Sequence, residues 1–297
     1  MGWADRVAGL SASWRGQSID AGLPVVEIDN PFCHAVVAYH GAQVLEYIPR
    51  GHAPLLWLSE QTHYSSHKAI RGGIPLCFPW FGAHPSDPKL PSHGFARTRA
   101  WQLAKAEADD DGHLLVFRLE DDESTRLLWP HGFVAELEMR FGAALTLTLQ
   151  VTNRDSVPFD FTFAFHSYFS VADVTQTQVT GLENTSYLDQ LAPQLGDQLS
   201  EATPIRFSAE TDRIYQGGAG RYRIAQTDGK AFTQISSADA TSVIVWNPWI
   251  DKAARLGDMN PNAWPQMLCV ECGRVGTAPV SIAAGASATF TLTLESL

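Results

Sequence analysis

The stretch ALTLTLQVTN, residues 144–153, alternates apolar and polar side chains along its whole length. Leu145, Leu147 and Leu149 fall on one face of an extended chain, and threonines and a glutamine fall on the other. A period of two is typical of a β-strand with one buried face. Turn-forming residues at 153–155 end the pattern. We therefore predict an amphipathic strand over residues 144–153.

Two further stretches repeat this alternation. In DFTFAFHSYF, residues 160–169, three phenylalanines share one face, and in TFTLTL, residues 289–294, apolar residues alternate with threonines. Helical periodicity is weak, so we expect only short helices, near residues 1–10 and 60–68. The predicted fold is all-β, a large antiparallel β-sandwich. No linker or repeat divides the sequence, which predicts a single domain over residues 1–297.

Composition limits the kinds of partner. The 297 residues carry 21 basic and 32 acidic side chains, a net charge of −11. Nucleic acids and anionic membranes bind basic surfaces, so we expect neither as a partner. The sequence contains no recognisable signal peptide and no apolar run of about 20 residues, the length that spans a membrane. Four cysteines are too few for a disulfide framework. These features predict a cytoplasmic protein, with a monomer as the default.

The charge is unevenly distributed. Residues 107–123 hold eight acids and one arginine, and we predict an exposed hairpin whose charges protect a sheet edge. Residues 183–213 hold six acids and two arginines. In contrast, residues 68–105 hold six bases and one acid, a net charge of +5. This basic segment is a candidate site for a small anion, although a solvated loop would have the same composition.

Two motifs lie inside the basic segment. RGGIPLCFPWFG, residues 71–82, combines glycines and prolines typical of a loop with Arg71 and two aromatic residues that could form a ligand wall. PSHGFARTR, residues 91–99, places His93 and Arg97 on one face of an extended chain. Arginine donates paired hydrogen bonds to carboxylates and phosphates. Taken alone, either motif is equally compatible with an irregular structural connection.

Two other motifs contain candidate acid–base groups. In FAFHSYF, residues 163–169, His166 lies on the face opposite the phenylalanines, and imidazole suits proton transfer near neutral pH. In MLCVECG, residues 267–273, Glu271 is centred in an apolar strand. A carboxylate there is costly unless it is paired or functional, and partial burial would raise its pKa. Glu271 is the strongest single-residue signal in the chain.

Metal and nucleotide sites have little support in the sequence. Cys269 and Cys272 match C-x-x-C, but a strand would place them on opposite faces, and a second C-x-x-C does not occur. The ten histidines form no metal-binding pattern, and the phosphate- and dinucleotide-binding glycine motifs are missing. We therefore expect no metal and no cofactor. In VWNPWIDKAARLGDM, residues 245–259, tryptophans beside polar groups are typical of sugar sites, with Trp249 as the candidate contact.

Taken in order, these segments resemble one family of enzymes. RGGIPLCFPWFG, HGFAR, FHSYF, TDRIY, VWNPW and the Val-Glu pair of MLCVECG are similar to the glucose-6-phosphate 1-epimerase (hexose-6-phosphate mutarotase) family of the aldose 1-epimerase superfamily. The likeness runs from about residue 30 to residue 294. It implies a galactose mutarotase-like β-sandwich whose site lies on a concave sheet face, with a sugar phosphate as the small-molecule substrate.

The resemblance also implies roles for individual residues. Glu271 matches the family's catalytic base, and His166 matches its catalytic acid. Arg71, Arg97 and Asp212 match its substrate-binding positions. At residue 92 some family members have glutamine, whereas this chain has serine, so that contact departs from the pattern. His93 matches a histidine expected near the ring oxygen or C1. The candidate substrate-binding residues are Arg71, Ser92, His93, Arg97 and Asp212, together with Trp249 from the tryptophan-rich stretch.

Other functions would need other features. A carbohydrate-binding module would use the same aromatic residues without a buried Glu271 facing His166. A glycoside hydrolase or lyase would need a second carboxylate beside Glu271, for which Asp212 is the candidate. A cupin-like metalloprotein would need clustered histidines. An aldose 1-epimerase acting on unphosphorylated sugars stays open as an alternative within the same superfamily.

Overall fold

In this computed structural model, residues 14–19, 22–277 and 279–297 are described. They form 23 β-strands and two short α-helices. The strands are β1 (Trp14–Ile19), β2 (Leu23–Asp29), β3 (Cys33–Ala38), β4 (Gln43–Pro49), β5 (Leu76–Cys77), β6 (Gln102–Asp109), β7 (Gly112–Glu120), β8 (Phe133–Phe141), β9 (Leu145–Asn153), β10 (Phe159–Phe161), β11 (Phe163–Phe165), β12 (Tyr168–Ser170), β13 (Thr177–Thr180), β14 (Ser186–Asp189), β15 (Asp197–Leu199), β16 (Ile205–Arg206), β17 (Thr211–Gln216), β18 (Arg221–Gln226), β19 (Ala231–Ser236), β20 (Ser242–Asn247), β21 (Met267–Arg274), β22 (Val280–Ile282) and β23 (Ser287–Ser296). The helices are α1 (Glu123–Arg126) and α2 (Trp249–Ala253).

Two large antiparallel sheets dominate the structure. The nine-stranded sheet has the order β16-β13-β18-β19-β23-β9-β8-β7-β6, and the eight-stranded sheet has the order β15-β14-β17-β20-β21-β11-β5, with β12 also paired to β21. A four-stranded sheet, β1 to β4, and a β10–β22 pair complete the arrangement. The predicted all-β antiparallel architecture is confirmed.

The two large sheets pack face to face through the alternating positions. Leu147 and Leu149 on β9 are at most 1% exposed, while Thr148 on the outer face meets Thr291 of β23 at 3.4 Å between hydroxyls. The rings of Phe163, in the eight-stranded sheet, and Phe290, in the nine-stranded sheet, lie 4.4 Å apart between centroids. The period of two therefore buries one face of each sheet in a shared core.

That core is continuous. One cluster of buried side chains includes residues of the four-stranded sheet and of both large sheets. A single domain over residues 1–297 would require such a core, and it stays a prediction. Within the part of the chain that is described, no helix is long and apolar enough to cross a membrane.

Some local predictions differ from the structure. The helix expected near 60–68 is wrong, because these residues form turns in which the hydroxyls of Ser59 and Ser65 accept bonds from the backbone N–H groups of Gln61 and His67. The helix expected near 1–10 lies outside the described residues. The acidic hairpin is confirmed: β6 and β7 join at residues 110–111, and β6 is the edge strand.

Candidate active site

The pairing of two neighbouring strands brings His166 beside Glu271. The run 160–169, predicted as one strand, is divided into β10, β11 and β12. β11 and β12 both pair with β21, through Phe165 opposite Cys272 and Tyr168 opposite Cys269. The two pairings have the same register, which places His166 directly opposite Glu271. The His166 N–H donates to the Pro75 carbonyl at 2.9 Å, which continues the pairing of β11 with β5. Because opposite residues of an antiparallel pair lie on the same face of the sheet, the imidazole lies beside the Glu271 carboxyl group.

The two candidate acid–base groups are in direct contact. His166 Nε2 lies 3.3 Å from Glu271 Oε1, and the residues are 7% and 1% exposed. His166 Nδ1 and Glu271 Oε2 are buried without a hydrogen-bond partner among the described residues. Unsatisfied buried polar atoms are costly in a folded protein, so their retention points to use by a ligand.

Aromatic rings fix the orientation of the imidazole. The His166 ring stacks on the Tyr168 ring, with centroids 4.7 Å apart and an interplanar angle of 10°. The Trp246 ring meets His166 edge-on at 6.3 Å, and the His93 ring does so at 5.8 Å. Packing on several sides restricts the rotation of His166, which keeps its contact with Glu271.

Burial moves both groups towards their neutral forms. Burial raises the pKa of Glu271 well above 4.5, and the nearby Asp212 adds to this shift. Burial, His93 and the two arginines lower the pKa of His166 well below 6.5. We regard their contact as a hydrogen bond between neutral groups and not as an ion pair, because desolvation opposes both charges. In either form, the pair holds one proton to exchange.

His93 is held as a neutral hydrogen-bond donor. Its Nδ1 accepts from the Gly82 N–H at 3.2 Å. Burial, with the charges of Arg97 and Arg71, lowers the pKa of His93 to about 3. A neutral imidazole that accepts at Nδ1 carries its proton on Nε2. The backbone of His93 is left-handed, with φ at 63°, a strained conformation that is frequent at functional sites.

Two glycines allow the site loops to approach the core. A Cβ on Gly94 would lie 2.1 Å from the Phe78 carbonyl oxygen, and a Cβ on Gly73 would lie 2.1 Å from that of Val44. Both glycines also have positive φ, at 72° and 62°. A side chain at either position would displace the loop that carries His93 or the loop that carries Arg71.

The acid–base pair opens into a cavity of about 270 Å³. Asp212, on β17 opposite Trp246, contributes a second carboxyl group. Burial raises the pKa of Asp212 to about 6, while Lys252 opposes that shift. The cavity thus combines apolar walls with groups that could hold hydroxyls, as a sugar site requires. It is lined by Arg71, Phe81, Gly82, His93, His166, Gln190, Asp212, Ile244, Trp246, Lys252, Leu256 and Glu271.

A second cavity, of about 480 Å³, adjoins the first and shares Arg71 and Leu256 with it. Basic side chains dominate its polar lining: Lys68, Arg97 and Arg255 join Arg71 there. An anionic group that extends from a ligand in the first cavity would meet these cations. We refer below to the first cavity as the sugar pocket and to the second as the basic pocket.

Arg71 stands between the two pockets and is already engaged. Its Nη1 donates to the Tyr168 hydroxyl at 3.0 Å, and its Nε donates to Asp258 Oδ1 at 3.1 Å. Arg97 Nη2 donates to the Ser92 carbonyl at 2.9 Å. The two arginines therefore line the same pocket as expected, but the charge of Arg71 is partly balanced by a carboxylate.

Two of the expected contacts lie elsewhere. Ser92 is exposed, and its hydroxyl donates to the Gly82 carbonyl at 3.3 Å. Trp249 packs on Trp264, with ring centroids 4.3 Å apart. Neither residue lines the sugar pocket or the basic pocket, whereas Trp246 lines the sugar pocket.

Asp258 and Arg255 of the basic pocket were missed in the sequence, whereas Lys68 belongs to the basic segment 68–105. Trp246 belongs to the stretch that was expected to form a sugar site, and its alternation with Ile244 on β20 favours it over Trp249, because both face the sugar pocket. Alternation along a strand thus predicts facing side chains, whereas contacts between distant loops leave no local signal.

A larger cavity, of about 800 Å³, lies elsewhere, between His52, Lys230 and the C-terminal Leu297. It shares no lining residue with the sugar pocket. Size alone would favour it, but an acid–base pair and strongly shifted pKa values are the better marks of a reactive site. We therefore place the candidate active site in the sugar pocket.

Comparison with known proteins identifies the family of this chain. The profile of the aldose 1-epimerase family matches residues 24–295. A Salmonella typhimurium protein named "Putative glucose-6-phosphate 1-epimerase" is 32% identical over 249 residues, which cover 84% of this chain and 82% of that protein. A protein of the same name from Cenchrus ciliaris is 33% identical over 268 residues, covering 85% and 78%.

Solved structures have the same fold. The crystal structure of a "putative mutarotase (YeaD)" from Salmonella typhimurium has a TM-score of 0.89 and 30% identity, covering 97% of this chain and 94% of that chain. A galactose mutarotase-like protein from Lactobacillus casei has a TM-score of 0.71 at 17% identity, covering 92% of this chain and 100% of that one, a likeness of fold alone. The galactose mutarotase-like sandwich is therefore confirmed, and this chain belongs to the aldose 1-epimerase family.

Proposed function

We propose that this aldose 1-epimerase family member interconverts the α and β anomers of hexose 6-phosphates, with glucose 6-phosphate as the representative substrate. One observation carries the proposal: a buried His166–Glu271 pair opens into a pocket of sugar size that adjoins a pocket lined by four cationic side chains. The pair supplies the proton transfers, and the basic pocket supplies a place for the phosphate. The names of the relatives point to the same substrate.

The chemistry requires two coordinated proton transfers. Glu271 as a carboxylate takes the proton from the C1 hydroxyl while His166 as an imidazolium gives its proton to the ring oxygen O5. The C1–O5 bond then breaks, and the open aldehyde forms. Rotation about C1–C2 exposes the other carbonyl face. On closure His166 takes back the O5 proton and Glu271 returns one to O1. Each transfer typically contributes roughly 10²- to 10⁴-fold in rate.

The substrate itself helps to place the starting proton. The charges of Arg97 and Arg71 help to lower the pKa of His166. A phosphate dianion bound by these arginines would balance their charge and make the imidazolium form of His166 less costly. The single proton of the pair would then move from Glu271 to His166, which is the arrangement that ring opening needs.

Other residues would hold the sugar. His93, as a neutral donor, would hydrogen-bond an oxygen near the ring oxygen or C1. Asp212 and Lys252 would hold hydroxyls from the opposite wall, and the Trp246 ring would cover an apolar sugar face. Ser92 and Trp249, which lie outside both pockets, are not needed in this scheme.

A second substrate class is favoured by one contact. The ion pair of Arg71 with Asp258, at 3.1 Å, weakens the attraction of Arg71 for a phosphate. This contact would suit an aldose 1-epimerase of unphosphorylated sugars. A comparison of glucose 6-phosphate with free glucose therefore distinguishes the two substrate classes.

The test measures anomer exchange by NMR with α-glucose 6-phosphate and with free glucose, after subtraction of the spontaneous exchange. We expect a higher kcat/KM for the phosphate. Arg97→Ala should raise the KM for glucose 6-phosphate and leave exchange of glucose nearly unchanged. Equal effects on both sugars would contradict the phosphate site, and a preference of the unaltered protein for glucose would favour the second substrate class.

Two further expectations accompany this function. The four cysteines within the described structure are free and buried, which is compatible with the cytoplasmic location that we propose. We also propose that the protein is a monomer.

A further inference from the structure

A buried thiol lies beside the proton-transfer pair. Cys269 is two residues from Glu271 on β21, so their side chains share one face of the strand. Cys269 packs with Tyr168 and Trp57 on the side of the sheet that holds the site, whereas Cys272 belongs to the main core on the other side. Neither cysteine takes part in the proposed proton transfers.

The three side chains converge on one point. A ring nitrogen of His166, the Cys269 sulfur and a carboxylate oxygen of Glu271 all lie within 4.8 Å of one another. Ligand atoms around a tetrahedral zinc ion are roughly 3.3–3.8 Å apart, given zinc–ligand bonds of about 2.0–2.3 Å. Small side-chain rotations would therefore bring the three atoms into coordination distance.

Two of these groups have unused coordination capacity. His166 Nδ1 and Glu271 Oε2 are buried and have no hydrogen-bond partner among the described residues. Both residues also line the sugar pocket, which leaves a path for an ion and room for a water molecule as fourth ligand. The site has the form of an open metal centre, with three protein ligands and one free position.

We propose that His166, Cys269 and Glu271 form a binding site for Zn²⁺ or another thiophilic divalent ion, and that occupation of this site blocks the proton-transfer pair. The donor set of nitrogen, sulfur and oxygen suits zinc, whereas Mg²⁺ and Ca²⁺ prefer oxygen ligands alone. On coordination, the Cys269 thiol and the Glu271 carboxyl group each release a proton to the solvent, and the sulfur and a carboxylate oxygen form bonds to the metal. No oxidation or reduction takes place.

Inhibition follows from the shared atoms. A zinc ion would engage a ring nitrogen of His166 and the carboxylate of Glu271, so neither could exchange a proton with O1 or O5. This consequence for activity rests on the proposed function, whereas the binding of metal does not. The first experiment therefore measures binding in the absence of any sugar.

Co²⁺ serves as the spectroscopic probe, because a cobalt–thiolate bond absorbs in the near ultraviolet and zinc displaces cobalt from such sites. Cys269→Ala is the test variant, and Cys272→Ala, on the same strand but facing the core, is the matched control. We expect the thiolate band in the unaltered protein and in Cys272→Ala, its loss by added Zn²⁺, and its absence in Cys269→Ala. A missing band in the unaltered protein, or a band that persists in Cys269→Ala, would overturn the site.

The second experiment measures anomer exchange against buffered free Zn²⁺. Zinc should inhibit the unaltered protein and Cys272→Ala at the same concentrations, and Cys269→Ala should need roughly 100-fold more while its zinc-free activity is retained. Equal sensitivity of the two variants would disprove a role for Cys269. If Cys269→Ala does not fold, Cys269→Ser keeps the side-chain size and removes the thiolate, and the same outcomes apply.

Discussion

The guanidinium of Arg71 meets the carboxylate of Asp258 through a hydrogen bond from Nε to Oδ1 and an ion-pair contact between Nη2 and Oδ2, each 3.1 Å long. The two residues are 187 positions apart in the chain. This contact fixes the planar group of Arg71 at the boundary of the sugar pocket and the basic pocket. It also offsets the positive charge of Arg71. The contact therefore orients the guanidinium but weakens its attraction for a phosphate.

We expect Asp258→Asn to strengthen binding of the phosphorylated substrate. Loss of the carboxylate charge leaves the Arg71 cation free to attract an anion, so the KM for glucose 6-phosphate should fall roughly fivefold, or about 1 kcal/mol. The KM for free glucose should change little. Asp251→Asn, an exposed position on α2 that lines neither pocket, is the charge-matched control. A KM that rises in Asp258→Asn would mean that orientation of Arg71 matters more than its charge.

We expect the two members of the acid–base pair to act as one unit. His166→Asn and Glu271→Gln should each lower the rate of enzymatic anomer exchange by roughly 10²- to 10⁴-fold, because either change interrupts the exchange of a shared proton. The double variant should be no slower than the slower single variant. NMR exchange rates, corrected for the spontaneous reaction, provide the measurement. Losses that multiply in the double variant would show that the residues act independently.

Glu271→Gln should also make the protein more stable, by an amount that depends on pH. Burial raises the pKa of Glu271 in the folded protein above 4.5, the ordinary value for the unfolded chain. The folded state therefore keeps a proton that the unfolded state loses, and the free energy of unfolding of the unaltered protein falls as pH rises through this window. A neutral glutamine removes this dependence.

The stability difference between Glu271→Gln and the unaltered protein should accordingly be small below pH 4.5 and grow above it by up to about 1.4 kcal/mol per pH unit. Denaturant unfolding at several pH values measures it. A difference that stays constant with pH would show that Glu271 ionises as readily in the folded chain as in the unfolded one.

The sequence predicted those parts of the molecule that depend on local pattern. Alternation in residues 144–153 predicted β9, and a lone carboxylate in an apolar strand predicted the burial of Glu271. The break between β11 and β12 was not predicted, because the apolar pattern continues through His166. The placement of His166 opposite Glu271 was not predicted either, because it depends on the pairing of β11 and β12 with β21, a segment distant in the chain.

For the candidate site too, the sequence identified residues but not the contacts between distant segments. His166, Glu271, Arg71 and Arg97 were identified by residue type and by resemblance, and the structure brings them together around two adjoining pockets. The strand pattern of residues 267–273 places Cys269 on the same face as Glu271, but its proximity to His166 depends on the pairing of β12 with β21. Such proximity is a property of the sheet and has no counterpart in the spacing of residues along the chain.

The close approach of the loops predicts a marked difference between two glycine substitutions. Gly94 and Gly51 both have positive φ, at 72° and 78°. An added Cβ at Gly94 would overlap the backbone of Phe78, whereas at Gly51 it would meet nothing within 4 Å. Gly51→Ala should therefore cost only the backbone strain, about 1 kcal/mol. Gly94→Ala should cost at least about 3 kcal/mol, because the loop must move away from the core.

Thermal and denaturant unfolding of both alanine variants measures this difference, and anomer exchange reports its effect on the site. Because Gly94 follows His93, displacement of the loop should move the imidazole of His93 away from the His166 ring, which lies 5.8 Å from it. Folded Gly94→Ala should thus lose exchange activity, while Gly51→Ala retains it. Equal stabilities of the two variants would mean that the loop carrying His93 adapts without strain, and the rigidity that we ascribe to this side of the sugar pocket would be wrong.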